Sequence, residues 1–286
     1  HRLIRRQRQM CIRDRLYTFI SASGGIDMVA VITGASGGIG KETAKILVSQ
    51  GWEVICLQRR DCEVEGTQSI KCDITNQQDI NRAFSMIDKI DLLINNAGFG
   101  VSGCVEFTDM SEIRSQFELN FFAHIAVTKA ALAKLRESKG RVIFISSAAS
   151  VFSIPFQSFY SATKSAAESV SLALSNELKQ FGVSVCSVRL GDVKTGFTAA
   201  RKKDFAGDDV YGGAIARSVA VMENDEINGM KPEYVAQKIV EISQKKHLPV
   251  LATVGGTYKL FCLLQKLLPV SLVNKIVGKM YMPPEK

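Results

Sequence analysis

Ser147, Tyr160 and Lys164 fall within "SSAASVFSIPFQSFYSATK", and their types suit proton transfer at a carbonyl or alcohol oxygen. A phenol with a pKa near 10 is a poor acid–base catalyst at neutral pH unless its anion is stabilised. Tyr160 and Lys164 are four residues apart, which places them on one face of a helix and lets a lysine ammonium supply that stabilisation. Ser147 ends the preceding apolar run "RVIFISS", so its hydroxyl is expected at the carboxyl end of a strand, where ligands bind in open α/β sheets. Each of these residues taken alone is more often a packing or surface group. Their coincidence with a second motif upstream gives the set its weight.

That motif is "TGASGGIG", residues 33–40, with Gly34, Gly38 and Gly40 between a β-branched run and a helical stretch. The spacing is G-x-x-x-G-x-G. Glycines here let backbone approach a pyrophosphate, and the helix N-terminus offers free N–H groups and a positive dipole end. A tight turn without a ligand is the plain alternative. At the end of the next apolar run, "LQRR" puts Arg59 and Arg60 where the adenosine ribose of a dinucleotide would lie. An arginine there suits a 2′-phosphate, an acid the free hydroxyls. Asp61 follows directly, so a register shift would restore an acid. The reading adopted is NADP(H), with NAD(H) as the alternative.

The elements that must position these groups follow from hydrophobic periodicity. Strands are expected over 28–33, 53–57, 69–73, 91–98 (running into a loop), 141–147, 183–191 and 248–254. Helices are expected over "GKETAKILVSQG" (40–51) stopped by Gly51, over 76–89 with Asn76 as N-cap, 110–138 closed by Gly140, 158–182, and 232–244. Strands alternating with helices and apolar on both faces predict an α/β fold: one Rossmann-type, doubly wound parallel sheet of about seven strands covered on both sides. A single catalytic domain over 28–286 is the economical division of the chain.

Composition narrows the partners. The chain has 286 residues, 46% hydrophobic and 22% charged, which is globular composition. Seven cysteines without a C-x-x-C pair, several inside apolar runs, favour free thiols in a reducing compartment. Three scattered histidines argue against a metal centre. Half of the net charge of +8 lies in residues 1–27, which hold six arginines against Asp14 and Asp27. The remaining basic groups are dispersed among acids, so no nucleic-acid footprint is read.

"TGASGGIG", "NNAG", Asn120 in "FELNFF", Ser147 and "YSATK" together resemble the short-chain dehydrogenase/reductase family over about residues 28–254. The resemblance implies hydride transfer between a nicotinamide and a small-molecule carbonyl or alcohol, with homo-oligomerisation, and the free thiols point to the cytoplasm. It implies Tyr160 as general acid/base, Ser147 polarising the carbonyl, Lys164 lowering the tyrosine pKa and holding the nicotinamide ribose, and Asn120 anchoring a water in a proton relay. Cofactor contacts carried over by position are Gly34, Ser36, Gly38, Ile39, Gly40, Arg59, Asp73, Ile74, Asn95, Ala97, Gly98, Tyr160, Lys164, Gly191, Val193 and Thr195. One departure is "LGDVKT", with Leu190 where the family commonly has proline.

Two segments bear on substrate. Residues 196–230 lack a clean period and are expected to form a substrate loop. The tail over 257–281 is apolar and basic, with helical spacing broken at Pro269. It reads as a helix pair over the substrate cleft or a partner subunit, or as a peripheral membrane anchor. Either suits a lipophilic ketone or alcohol. The alternatives are a β-ketoacyl-thioester reductase on the same scaffold and a non-catalytic NADP(H) sensor or scaffold protein. Residues 1–27 are expected to be a non-native leader, because Met28 directly precedes the first strand and "RRQRQMCIRD" resembles a translated sequencing adapter. An Arg-rich targeting peptide is the competing reading.

Overall fold

The computed structural model describes residues 28–282 and residue 284. The leader expected over 1–27 lies outside the described residues. Seven parallel strands form the central sheet in the order β3-β2-β1-β4-β6-β7-β9. They are β1 (Val29–Thr33), β2 (Glu53–Gln58), β3 (Thr67–Lys71), β4 (Leu92–Asn95), β6 (Arg141–Ser147), β7 (Ser184–Leu190) and β9 (Leu251–Thr253). The order reverses between β1 and β4, which pair directly, and this switch point opens a crevice at the carboxyl edge.

Alternate residues of the central strands feed two apolar layers. Val31, Leu93 and Phe144 point into one, under α2 (Gln77–Ser85) and α4 (Ala123–Ser138). Ile32, Ile94 and Ile143 point into the other, under α1 (Gly38–Ser49) and α8 (Pro232–Ser243). Burial on both faces is why these strands read as continuous apolar runs. The edge strand β3 begins at Thr67, two residues before the run expected from sequence, because its first three residues are polar and largely solvent-facing.

The long helix expected over 110–138 is α3 (Met110–Phe117) and α4, joined by a π-helical turn at Glu118–Phe122. Asn120 sits in that turn. Its closure differs from expectation: Lys139, not Gly140, takes the left-handed position at φ 52°, while a Cβ at Gly140 would meet the Asp91 carbonyl oxygen at 2.8 Å. Asn76 caps α2 as expected, accepting from Gln78 N and Asp79 N. The helix after β6 is α5 (Ser158–Glu177).

The segment 196–230 is structured. It contains α6 (Phe197–Ala200), β8 (Lys202–Lys203), which pairs with β5 (Val101–Ser102), and α7 (Ala214–Ile227). Ile215, Val219 and Met222 bury one face of α7, a stripe that the glycines before it and the acidic "MENDE" within it obscure in sequence. The tail forms α9 (Gly256–Leu267) and α10 (Val270–Tyr281), separated at Leu268–Pro269 as the spacing predicts. No helix among the described residues is long and apolar enough to cross a membrane.

Candidate active site

The loop after β1 and the loop after β4 lie against each other at the switch point. The Thr33 hydroxyl accepts from the backbone N–H groups of Asn96 (2.9 Å) and Ala97 (3.1 Å), and Asn96 Nδ2 donates to the Thr33 and Gly34 carbonyls, both at 3.0 Å. The approach requires glycine. Gly34 has φ +71°, and a Cβ there would lie 2.8 Å from Ala97 Cα. Gly37 precedes α1 in extended conformation and no side chain caps the helix. The first N–H groups of α1 therefore face a cleft with nothing within 4 Å of a Cβ built on Gly37. A backbone cradle at an uncapped helix N-terminus fits a pyrophosphate.

The cleft has a volume of about 910 Å³ and runs from Arg59, Arg60 and Asp73 at one end to Ser147, Tyr160 and Gly191 at the other. Of the sequence-derived cofactor contacts, Gly34, Ser36, Gly38, Ile39, Ile74, Ala97, Gly98, Lys164, Val193 and Thr195 also border it. Asp61 does not border it. Burial works to raise Asp73, but hydrogen bonds from Thr75 and the charge of Arg59 outweigh it and hold the carboxyl below its ordinary value.

Two expected contacts fall elsewhere. Asn95 is fully buried and donates to Thr128 Oγ1 at 2.8 Å, so its neighbour Asn96 is the asparagine at the cleft wall. Strand alternation turns the two side chains to opposite faces. Gly40 lies behind the wall, where a Cβ would meet Asn96 Nδ2 and the Gly34 carbonyl oxygen at 2.5 Å. It lets α1 pack on the loop.

The chemical groups converge at the far end. Ser147 ends β6, and its Oγ accepts from Ala149 N at 3.1 Å and lies beside the Tyr160 phenol in the cleft. The phenol is pushed up to about 12, chiefly by burial, with the Ser147 hydroxyl acting in the opposite direction. Lys164 Nζ donates to the Ile145 carbonyl at 2.9 Å and stands 5.6 Å from the Tyr160 ring centroid. Burial lowers it to about 8. Asn120 is buried behind this row. Its Nδ2 donates to the Phe99 carbonyl at 2.8 Å and its Oδ1 accepts from Phe99 N at 3.0 Å, so it holds the loop after β4.

Sequence reasoning missed several residues that support this row. His124 Nε2 is 2.7 Å from the Ala97 carbonyl. Burial, then the charge of Lys164, pushes His124 down to about 3, so the ring is neutral and Nε2–H donates. Glu168 forms a buried bidentate ion pair with Arg189 and accepts from Ser150 Oγ at 3.0 Å, tying α5 to β7 and to the turn after Ser147. Phe197 of α6 packs against Tyr160, with ring centroids 5.7 Å apart. Nothing in residue spacing links these positions, because each contact spans different elements.

The sequence profile of the short chain dehydrogenase family matches residues 28–206. The chain belongs to this family of oxidoreductases. The 3-ketodihydrosphingosine reductase of Bacteroides thetaiotaomicron is 37% identical over 235 residues, covering 79% of this chain and 87% of that protein. A Helicobacter pylori protein described as a "probable short-chain type dehydrogenase/reductase" is 35% identical over 259 residues, covering 87% of this chain and 96% of its own. Among solved structures, a short-chain dehydrogenase from Streptomyces avermitilis superposes with a TM-score of 0.76 at 26% identity, over 90% of this chain and 97% of its own.

A second cavity, about 750 Å³, adjoins the first along Ser147, Ala149, Ile154, Gly191 and Asp192. Its remaining wall is mostly apolar and comes largely from the tail, including Phe261, Leu264, Val273, Ile276 and Met280. The 257–281 helices thus form one side of a compartment that opens onto Ser147.

Proposed function

We propose that this protein is an NADP(H)-dependent reductase of a lipophilic ketone, running also as the reverse alcohol dehydrogenase. The carrying observation is the position of Ser147 on the wall shared by the cleft at the uncapped helix N-terminus and an apolar cavity, with Tyr160 beside it in the cleft. Gly34, Gly38 and the N-terminus of α1 would hold the pyrophosphate, and Arg59 and Arg60 would pair with a 2′-phosphate. The bound nicotinamide supplies the hydride.

The chain's own residues handle the proton. The Ser147 hydroxyl would hold the substrate oxygen, and Tyr160 would give its phenolic proton to that oxygen as the alcohol forms. Lys164, held by the Ile145 carbonyl, would bind the nicotinamide ribose and stabilise the tyrosinate left behind. Asn120 keeps the loop after β4 in place and with it the cofactor face of the cleft. A 3-keto amphiphile of the type named by the Bacteroides relative would place its chain in the apolar cavity and its ketone at Ser147.

The test is a substrate panel followed by nicotinamide absorbance, with NADPH and NADH in parallel. Long-chain free ketones are expected to be reduced with NADPH, in preference to acyl thioesters and to small polar carbonyls. Turnover confined to acyl thioesters would move the assignment to a β-ketoacyl-thioester reductase. No turnover with any carbonyl would favour a sensor.

A further inference from the structure

The outer face of the tail is unusual for a surface helix. Helices on protein surfaces turn an apolar stripe inward and polar residues outward. In α9 the inward positions are Cys262, buried beside the Arg189–Glu168 pair, and Tyr258, bonded to Asp192. Phe261, Leu264 and Leu268 face the apolar cavity. The solvent side should then be polar, yet it carries Leu260, Leu263 and Leu267, which are 52%, 55% and 71% exposed. Val270, at the start of α10, continues the patch at 78% exposure.

Charge around this patch has one sign. Lys259, Lys266, Lys275 and Lys279 are all exposed, and residues 256–282 contain no Asp or Glu. None of the four lysines forms an ion pair among the described residues. Lys259 and Lys266 are seven apart, hence on one side of α9, beside the Leu260–Leu263–Leu267 stripe. An apolar stripe flanked by lysines complements the headgroup and acyl layers of an anionic bilayer.

We propose that the α9–α10 helix pair docks this protein on an anionic lipid surface, with its inner face admitting an apolar chain from that surface to the cavity beside Ser147. Leu263, Leu267 and Val270 enter the acyl boundary, and the four lysines meet the headgroups. Docking itself is independent of the catalytic assignment. Admission of substrate rests on it.

Cosedimentation of the full chain with vesicles tests the docking. The protein is expected to partition onto vesicles of phosphatidylcholine and phosphatidylglycerol and to remain in solution with phosphatidylcholine alone. Changing all four lysines to Gln is expected to weaken partitioning by about a hundredfold or more, given that each basic residue near an anionic leaflet is worth about fivefold. The triple variant Leu263→Ser/Leu267→Ser/Val270→Ser is expected to abolish it, with unchanged circular dichroism and unchanged turnover of a short soluble ketone. Failure of the wild type to bind anionic vesicles, or binding unmoved by either variant, overturns the proposal. So does a wild-type dimer that the triple variant splits in the absence of vesicle binding, since the patch would then belong to a second copy. A protein that binds vesicles yet reduces no ketone leaves docking intact and refutes only the catalytic reading.

Discussion

The phenol of Tyr258, in the first turn of α9, donates a hydrogen bond to the carboxylate of Asp192, two residues beyond the end of β7. This bond fastens the tail to the active-site edge of the sheet. Gly191 makes the contact possible, because a Cβ there would lie 2.0 Å from Tyr258 Cε2. The ring occupies the space that a side chain would need. Burial raises Asp192 above its ordinary value and is also the main reason Tyr258 is raised.

Gly191→Ala is therefore expected to expel the Tyr258 ring and disturb the cavity wall formed by the tail. Overpacking of this kind costs about 1–3 kcal/mol, equivalent to about 5- to 150-fold in affinity. The expected outcome is a raised KM for a long-chain ketone, with a smaller change for a short one. Steady-state kinetics on the two substrates checks it, and equal effects on both would argue that the tail does not line the substrate path.

Arg59→Glu tests the cofactor selector. A charge-assisted hydrogen bond contributes about 1.5–3 kcal/mol, so kcat/KM with NADPH should fall by about 10- to 150-fold. The value with NADH should fall less or rise. Parallel titration with both cofactors reads the ratio directly.

Glu168→Ala leaves Arg189 charged and buried. Breaking a buried pair costs about 3–5 kcal/mol, and the loss should appear as a lower urea midpoint with an unchanged slope. The turn after Ser147 also loses its Ser150–Glu168 bond, so activity under native conditions should decline as well.

His124 gives a stability signature in acid. Its folded pKa of about 3 lies below the ordinary value of 6.5, so the unfolded chain binds the proton first. Stability that is present above 6.5 is lost as pH falls from 6.5 towards 3, at up to about 1.4 kcal/mol per pH unit. His124→Gln keeps a donor near the Ala97 carbonyl but cannot titrate. Urea denaturation of both proteins across this window should show the steeper decline in wild type.

Much of this site was legible because local rules carry it. The Gly34 turn, the helical pairing of Tyr160 with Lys164 and the Asn76 cap each depend on a few adjacent residues. What was not legible depends on contacts between distant segments. Which of Asn95 and Asn96 faces the cleft is settled by the register of β4 against β1. The π-helical turn at Asn120 has no marker in an otherwise helical pattern. Gly191 reads as a cofactor contact, and its second role appears only where Tyr258, in the distant α9, stacks against it. The spacing of the tail allows a helix pair over the cleft or a partner subunit, or a membrane face. The cavity lined by Phe261 and the exposed stripe of Leu263 and Leu267 put an apolar surface on both sides of one helix.

The central claim is that Tyr160 transfers the proton while the nicotinamide supplies the hydride. The most direct measurement compares single-turnover reduction of a long-chain ketone by wild type and Tyr160→Phe, each preloaded with NADPH to the same occupancy by calorimetry. The account predicts unchanged NADPH affinity and a rate reduced by about 10²- to 10⁴-fold, the usual worth of a positioned acid. A Tyr160→Phe rate close to that of wild type would contradict it.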